Sequence, residues 1–182
     1  MIFALDALGE AVDVSGDYTL TLTADSGCPD LPDEARSRTY NASIVPANPA
    51  RTRHIVTVRG ASLVIGDSDA FDVGVSRDFL ALRFQLPFYS TDYPALMEQI
   101  ASNTYVAFRG TATATVPPAP NVISAEFDGW IAYCVLTSPL GENNLEIEGC
   151  GTPSSRLEPT LSQPVTQARC ESRNHRMILA RR

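Results

Sequence analysis

The sequence contains no lysine at all; its 14 basic residues are all arginine. We read this as a coding bias of the kind a GC-rich genome produces. Charge of either sign is sparse, 19% of the chain, and 21 acidic residues leave a net charge of −7. A surface of that sign excludes nucleic acid, because binding phosphates takes clustered Lys and Arg. It also excludes docking on anionic lipid. No apolar run is long enough to span a membrane. No Cys-x-x-C is present, which argues against a zinc site, and no pattern points to a cofactor. Gly-x-Ser-x-Gly is missing, and His54 and His175 are the only histidines, so a nucleophile–His–acid site has little to draw on. The opening Met-Ile-Phe-Ala-Leu-Asp lacks the basic and long apolar regions of a signal peptide.

What is present fits one domain. A chain of 182 residues with 44% hydrophobic content suffices for a sizeable core. Residues 1–14 form an N-terminal segment, and 15–182 form a single domain with a long loop at 138–168. The four Cys imply two disulfides and an oxidising compartment, which places the protein as secreted, extracellular or periplasmic.

Strand signals dominate. From Asp17 to Ala24, Tyr18, Leu20 and Leu22 alternate with Thr19, Thr21 and Thr23, the period of a half-buried strand. Further strands are expected at Thr39–Val45, with Tyr40, Ala42 and Ile44 on one face, and at His54–Arg59, Ala70–Val75 and Phe79–Leu86. Three more follow at Tyr105–Val116, relieved at Gly110, at Ile123–Leu136, where Gly129 allows a bend, and at His175–Arg181. One short helix is expected at Pro94–Ser102, with Pro94 in its first turn and Leu96 and Ile100 four apart. The fold class is therefore all-β. Eight antiparallel segments in chain order predict an up-and-down meander, whose closure into a barrel removes its exposed edges; a two-sheet sandwich ranks second.

The stretch Ser15-Gly16-Asp17-Tyr18-Thr-Leu-Thr-Leu-Thr-Ala, then Cys28, then Arg38-Thr39-Tyr40, resembles bacterial extracellular lipocalin-like domains. The ending Cys170-Glu-Ser-Arg-Asn-His175-Arg176-Met-Ile-Leu-Ala-Arg181 is similar to their closing strand. Here Gly16-Asp17-Tyr18 stands where lipocalins carry Gly-x-Trp. The resemblance implies a lipocalin-like barrel, open at one end, holding a small apolar ligand. It also implies that an Arg of the last strand lies over the ring of the first.

Barrel closure pairs the first strand with the last, which brings Tyr18 to Arg181 on matching faces. The same closure joins Cys28 to Cys170 and leaves Cys134 to Cys150; Cys134–Cys170 is the rival pairing. The inward apolar faces are the strongest positive feature: Tyr40, Val56, Val58, Leu82, Phe84, Phe108, Phe127, Ile131 and Met177 share one interior. Other candidates are weaker. Asp67, Asp69 and Asp72 lack the pattern of a calcium loop. Glu126 with Asp128, and Glu146 with Glu148, read as outer-face charges rather than glycosidase carboxylates. Asn41-Ala42-Ser43 fits a glycosylation sequon.

Three functions follow in order. The first is a secreted β-barrel binding a small hydrophobic molecule in its lumen. The second is an extracellular interaction or structural module with a filled core, presenting the long loop and an outward Trp130 to a protein partner. The third is a cyclase or isomerase working in the lumen. A polar side chain turned inward, such as His54 or Arg83, would favour the third.

Overall fold

The computed structural model describes residues 14–49, 53–60, 71–77, 81–86, 95–115, 121–135 and 165–182. The elements are β1 (Gly16–Thr23), α1 (Asp33–Arg36), β2 (Ser37–Pro46), β3 (Arg53–Arg59), β4 (Phe71–Arg77), β5 (Ala81–Leu86), β6 (Leu96–Ala101), β7 (Thr104–Thr115), β8 (Val122–Val135) and β9 (Val165–Arg181). They form one antiparallel sheet in the order β5-β4-β3-β2-β1-β9-β8-β7-β6, with a further pairing of β5 to β7. The sheet curls so that one face of nearly every strand turns on a common core.

Alternation sets that face. In β1 the side chains of Tyr18, Leu20 and Leu22 are buried while the intervening threonines lie half out. In β2 the same holds for Tyr40, Ala42 and Ile44. Because side chains alternate with a period of two, a register slip of one would turn each set to water. The register of β1 against β9 runs from Tyr18 opposite Arg181 to Thr23 opposite Arg176. The Arg181 guanidinium sits 5.8 Å from the centre of the Tyr18 ring and donates to the Ser15 carbonyl at 2.5 Å. The Tyr18 hydroxyl donates to the Val14 carbonyl at 2.8 Å.

Three expectations are corrected. Residues 96–101 are a strand, not a helix. Leu96, Glu98 and Ile100 are spaced for one face of a strand as well as Leu96 and Ile100 are for a helix, and Ser102-Asn103 makes the tight turn into β7 with Asn103 at φ 62°. The described residues thus hold nine strands rather than eight. Among the described residues a short helix lies instead at Asp33–Arg36, where two acidic residues suit the first turn. Finally, the last strand begins at Val165 rather than His175, so residues 165–168, expected in the long loop at 138–168, are strand. Its other residues, including Glu146, Glu148 and Cys150, lie outside the described residues, as do 1–13 and 61–70.

Candidate functional site

The described side chains put the residues expected to line a lumen into one buried cluster. Phe84, Phe108, Phe127, Leu82 and Ile131 are all at most 1% exposed, and Tyr40, Val56 and Met177 are 2% exposed. Val58 joins them. Register explains the grouping: Ala112 of β7 stands opposite Phe84 on one neighbour and Phe127 on the other, a small residue between two rings. The Tyr40 and Phe108 rings meet edge to face at 6.5 Å.

Among the described residues three polar groups are buried with this interior: Glu98, His54 and His175. Glu98 of β6 is 4% exposed. Arg38 Nε donates to Glu98 Oε2 at 2.7 Å and Arg38 Nη2 donates to Oε1, a two-point clamp. The Tyr40 hydroxyl donates to the same Oε2 at 2.8 Å. Arg38 Nη1 also reaches the Glu34 carbonyl at 3.4 Å. Burial, then the neighbouring Glu98 charge, pushes the Tyr40 phenol far above its ordinary range. The hydrogen bond to Glu98 likewise raises the Arg38 guanidinium. A buried ion pair is costly to desolvate and survives only with its hydrogen bonds satisfied; here β2 supplies the satisfaction.

The cluster lies at the end of the interior that the β1–β2 connection covers. That connection is closed at its base by Ala24 N–H donating to the Arg36 carbonyl at 2.7 Å, and it sends Cys28, Leu31 and Ala35 into the core. Cys28 bonds to Cys170 with a Cα separation of 5.7 Å. Cys170 lies opposite Ile131, on the inward side, while Cys134 sits in the outer-face cluster; opposite faces rule out the rival pairing. Cys134 is itself disulfide-bonded. Asp25 N–H donates to His175 Nδ1 at 2.9 Å. The Asp25 carboxylate accepts from Gly27 N–H at 3.0 Å and the Ser172 hydroxyl at 2.5 Å, and these two bonds, in that order, hold it below the usual carboxylate range. His175 is fully buried, and burial lowers its pKa. Cys28, Cys170 and His175 hold ligand-type atoms within 4.8 Å of one another, but the bonded sulfurs offer no thiolate to a metal.

The remaining candidates scatter. His54 is 3% exposed and shares the inward face of β3 with Val56 and Val58, whereas Arg83 points out. Glu126 and Asp128 are exposed, as surface charges should be. Asn41 is exposed in an outer groove of about 350 Å³ with Ser43, Arg59 and Arg182. Trp130 does lie on the outer face but is only 9% exposed, packed with Met97 and Tyr105 under the Arg169 guanidinium; the expected outward display is corrected. Sequence reasoning missed Glu98 and Asp25. The signal for Glu98 was its place midway between Leu96 and Ile100, which on a strand forces a carboxylate inward. Compared with known proteins, the chain matches no family model, no curated protein and no solved structure.

Proposed function

We propose that the curled sheet acts as a closed, lipocalin-like eight-stranded barrel, carrying β6 as an extra strand, and that it is a secreted binder of a small, largely apolar molecule. Closure is supported by the β5–β7 pairing, which links the two ends of the β5-to-β7 strand series. The observation that carries the binding reading is the shared apolar interior with a single cluster of convergent polar groups, Arg38, Tyr40 and Glu98, at one end. That combination is the usual composition of a ligand site. Secretion is supported by the Cys28–Cys170 disulfide.

Binding is favoured over catalysis because the buried His54 lies far from the Arg38, Tyr40 and Glu98 cluster. His54 stands opposite Pro46 at the far end of β2, eight residues from Arg38, or about 26 Å along an extended strand. A small substrate cannot meet His54 and Glu98 together.

Ala112→Leu tests the reading. In an interior with room, Leu fills space between Phe84 and Phe127, stability changes little, and binding of an apolar environment-sensitive dye is lost. In a solid core the wild type takes up no dye and the extra volume destabilises by about 1–3 kcal/mol. The second pattern, seen in dye titration and urea denaturation, would reject the binder.

A further inference from the structure

We infer that Cys28, Cys170 and His175 form a redox-gated site for a thiophilic cation such as zinc, one that opens when the Cys28–Cys170 disulfide is reduced. Sulfur and ring-nitrogen atoms of the three residues already lie within 4.8 Å of one another. A tetrahedral zinc sets its sulfur and nitrogen ligands about 3.6–3.8 Å apart, so shifts of about 1–2 Å bring them into range. Two electrons and two protons convert the disulfide into two thiols, and a thiol or phosphine is the class of reductant that supplies the electrons. The cation then displaces both thiol protons and takes two thiolates and a neutral imidazole nitrogen as ligands. That donor set selects zinc or copper(I) over magnesium and calcium, which prefer oxygen.

A break in the β9 ladder is what brings the histidine to the sulfurs. Cys170 and His175 are five residues apart, and on a regular strand an odd spacing sends two side chains to opposite faces. Here Ser172 stands opposite Gly129 and His175 opposite Phe127, so three steps on β9 match two on β8. The extra residue of this bulge re-aims His175 to the inner face that Cys170 occupies. One turn of the β1–β2 connection holds both halves. The Asp25 carboxylate accepts from the Ser172 hydroxyl at 2.5 Å and from Asn174 Nδ2 at 3.4 Å, which braces the bulge. The Asp25 carbonyl accepts from Cys28 N–H at 3.1 Å, which sets the first sulfur. The neutral ring has one lone pair, and Asp25 N–H occupies it in the oxidised protein. The cation takes that lone pair over, and a full ligand set outweighs one hydrogen bond. Cys170 is only half-buried, so reductant and cation have one sulfur to approach.

The experiment uses the full chain carrying Cys134→Ser/Cys150→Ser, which leaves Cys28 and Cys170 as its sole cysteines. A water-soluble phosphine reduces it, becoming the phosphine oxide with oxygen from water and leaving the two hydrogens on the sulfurs. The desalted, oxygen-free protein is titrated with Co2+ and then with Zn2+. One equivalent of cobalt should bind with a thiolate-to-cobalt charge-transfer band, zinc should displace it, and the oxidised chain should show neither. A reduced chain that takes up neither metal overturns the inference. His175→Phe should weaken cobalt at least about tenfold, since even the outer partners of metal ligands are worth about 10–100-fold; unchanged affinity overturns the three-residue site. Circular dichroism follows the fold throughout. If the reduced chain unfolds, one equivalent of zinc should restore the sheet signal, and a chain that stays unfolded with zinc counts against the site. Should the serine variant fail to fold when oxidised, reduced wild type should bind one equivalent more than reduced Cys28→Ala/Cys170→Ala; equal uptake overturns the inference.

Discussion

At the scale of single residues, the most constrained positions are the facing glycines of β7 and β8. Gly110 lies opposite Gly129, and it is where β7 changes partner: Thr104–Phe108 pair with β6, whereas Gly110–Thr115 pair with β5. The strand bends to leave one neighbour for the other, and the bend presses the two backbones together. A Cβ on Gly110 would stand 2.3 Å from the Asp128 carbonyl oxygen and 2.7 Å from Gly129 Cα; a Cβ on Gly129 would stand 2.1 Å from the Arg109 carbonyl oxygen. These obstacles are backbone atoms and cannot swing aside. Gly110→Ala should therefore cost about 3 kcal/mol, the upper part of the overpacking range. Gly27→Ala meets only ordinary contacts, the nearest being Asp25 Oδ1 at 3.6 Å, and should cost less than about 1 kcal/mol. Urea denaturation of both variants measures the difference, and equal losses would contradict the close approach. Both glycines were visible in the sequence as interruptions of strands. The exchange of partners was not, since it depends on which strands meet in space.

At the scale of elements, the β1–β2 connection is a cover held to β9 at Asp25 and Cys28. His175 takes part through Nδ1, which can accept the Asp25 N–H only when unprotonated. The charged groups that face its ring are Asp25 of the connection and Asp128 of β8; both favour the protonated form, but burial outweighs them and the pKa lies below its ordinary value. The folded state therefore binds fewer protons than the unfolded chain as pH falls through the unfolded value of about 6.5. Stability from this group is complete above that value and declines below it, toward the lower folded pKa. Thermal unfolding should show a falling Tm between about pH 7 and 5. His175→Phe should lower Tm at pH 7, because the Asp25 N–H loses its acceptor, and should flatten the decline; a variant profile parallel to wild type would show that His175 is not the titrating group. Element type was legible wherever alternation ran unbroken, as in β1. It failed at β6 because Leu96 and Ile100 satisfy both periods. Hydrogen bonding to β7 decides between them, and that partner lies across a turn whose only local mark is Asn103.

At the scale of the whole molecule, the joining of the first strand to the last is what the sequence made most legible. Tyr18 and Arg181 are register partners, as parity and antiparallel closure require, and the Cys28–Cys170 bond follows from the same adjacency. The covered outer face was not legible, since Met97, Tyr105 and Trp130 lie on the side that alternation assigns to solvent. A long-range crosslink is also the feature with the largest effect on the unfolded chain. Cys28 and Cys170 are 142 residues apart, and the chain-entropy relation gives about 5 kcal/mol for a loop of that length. The bond also fixes the cover over the Arg38–Glu98 end of the interior, so under the proposed binding role its loss would act on stability and on access together. The double variant Cys28→Ala/Cys170→Ala leaves Cys134 in its own disulfide. It should lose about 5 kcal/mol in urea denaturation. It should also take up an apolar dye faster than wild type, since the connection is then held mainly by the Asp25 contacts and its buried Leu31 and Ala35. A loss below about 1 kcal/mol would mean that the unfolded chain gains almost nothing from release of the crosslink. If the interior binds apolar molecules as proposed, unchanged uptake kinetics would mean that they enter from the Tyr18–Arg181 end.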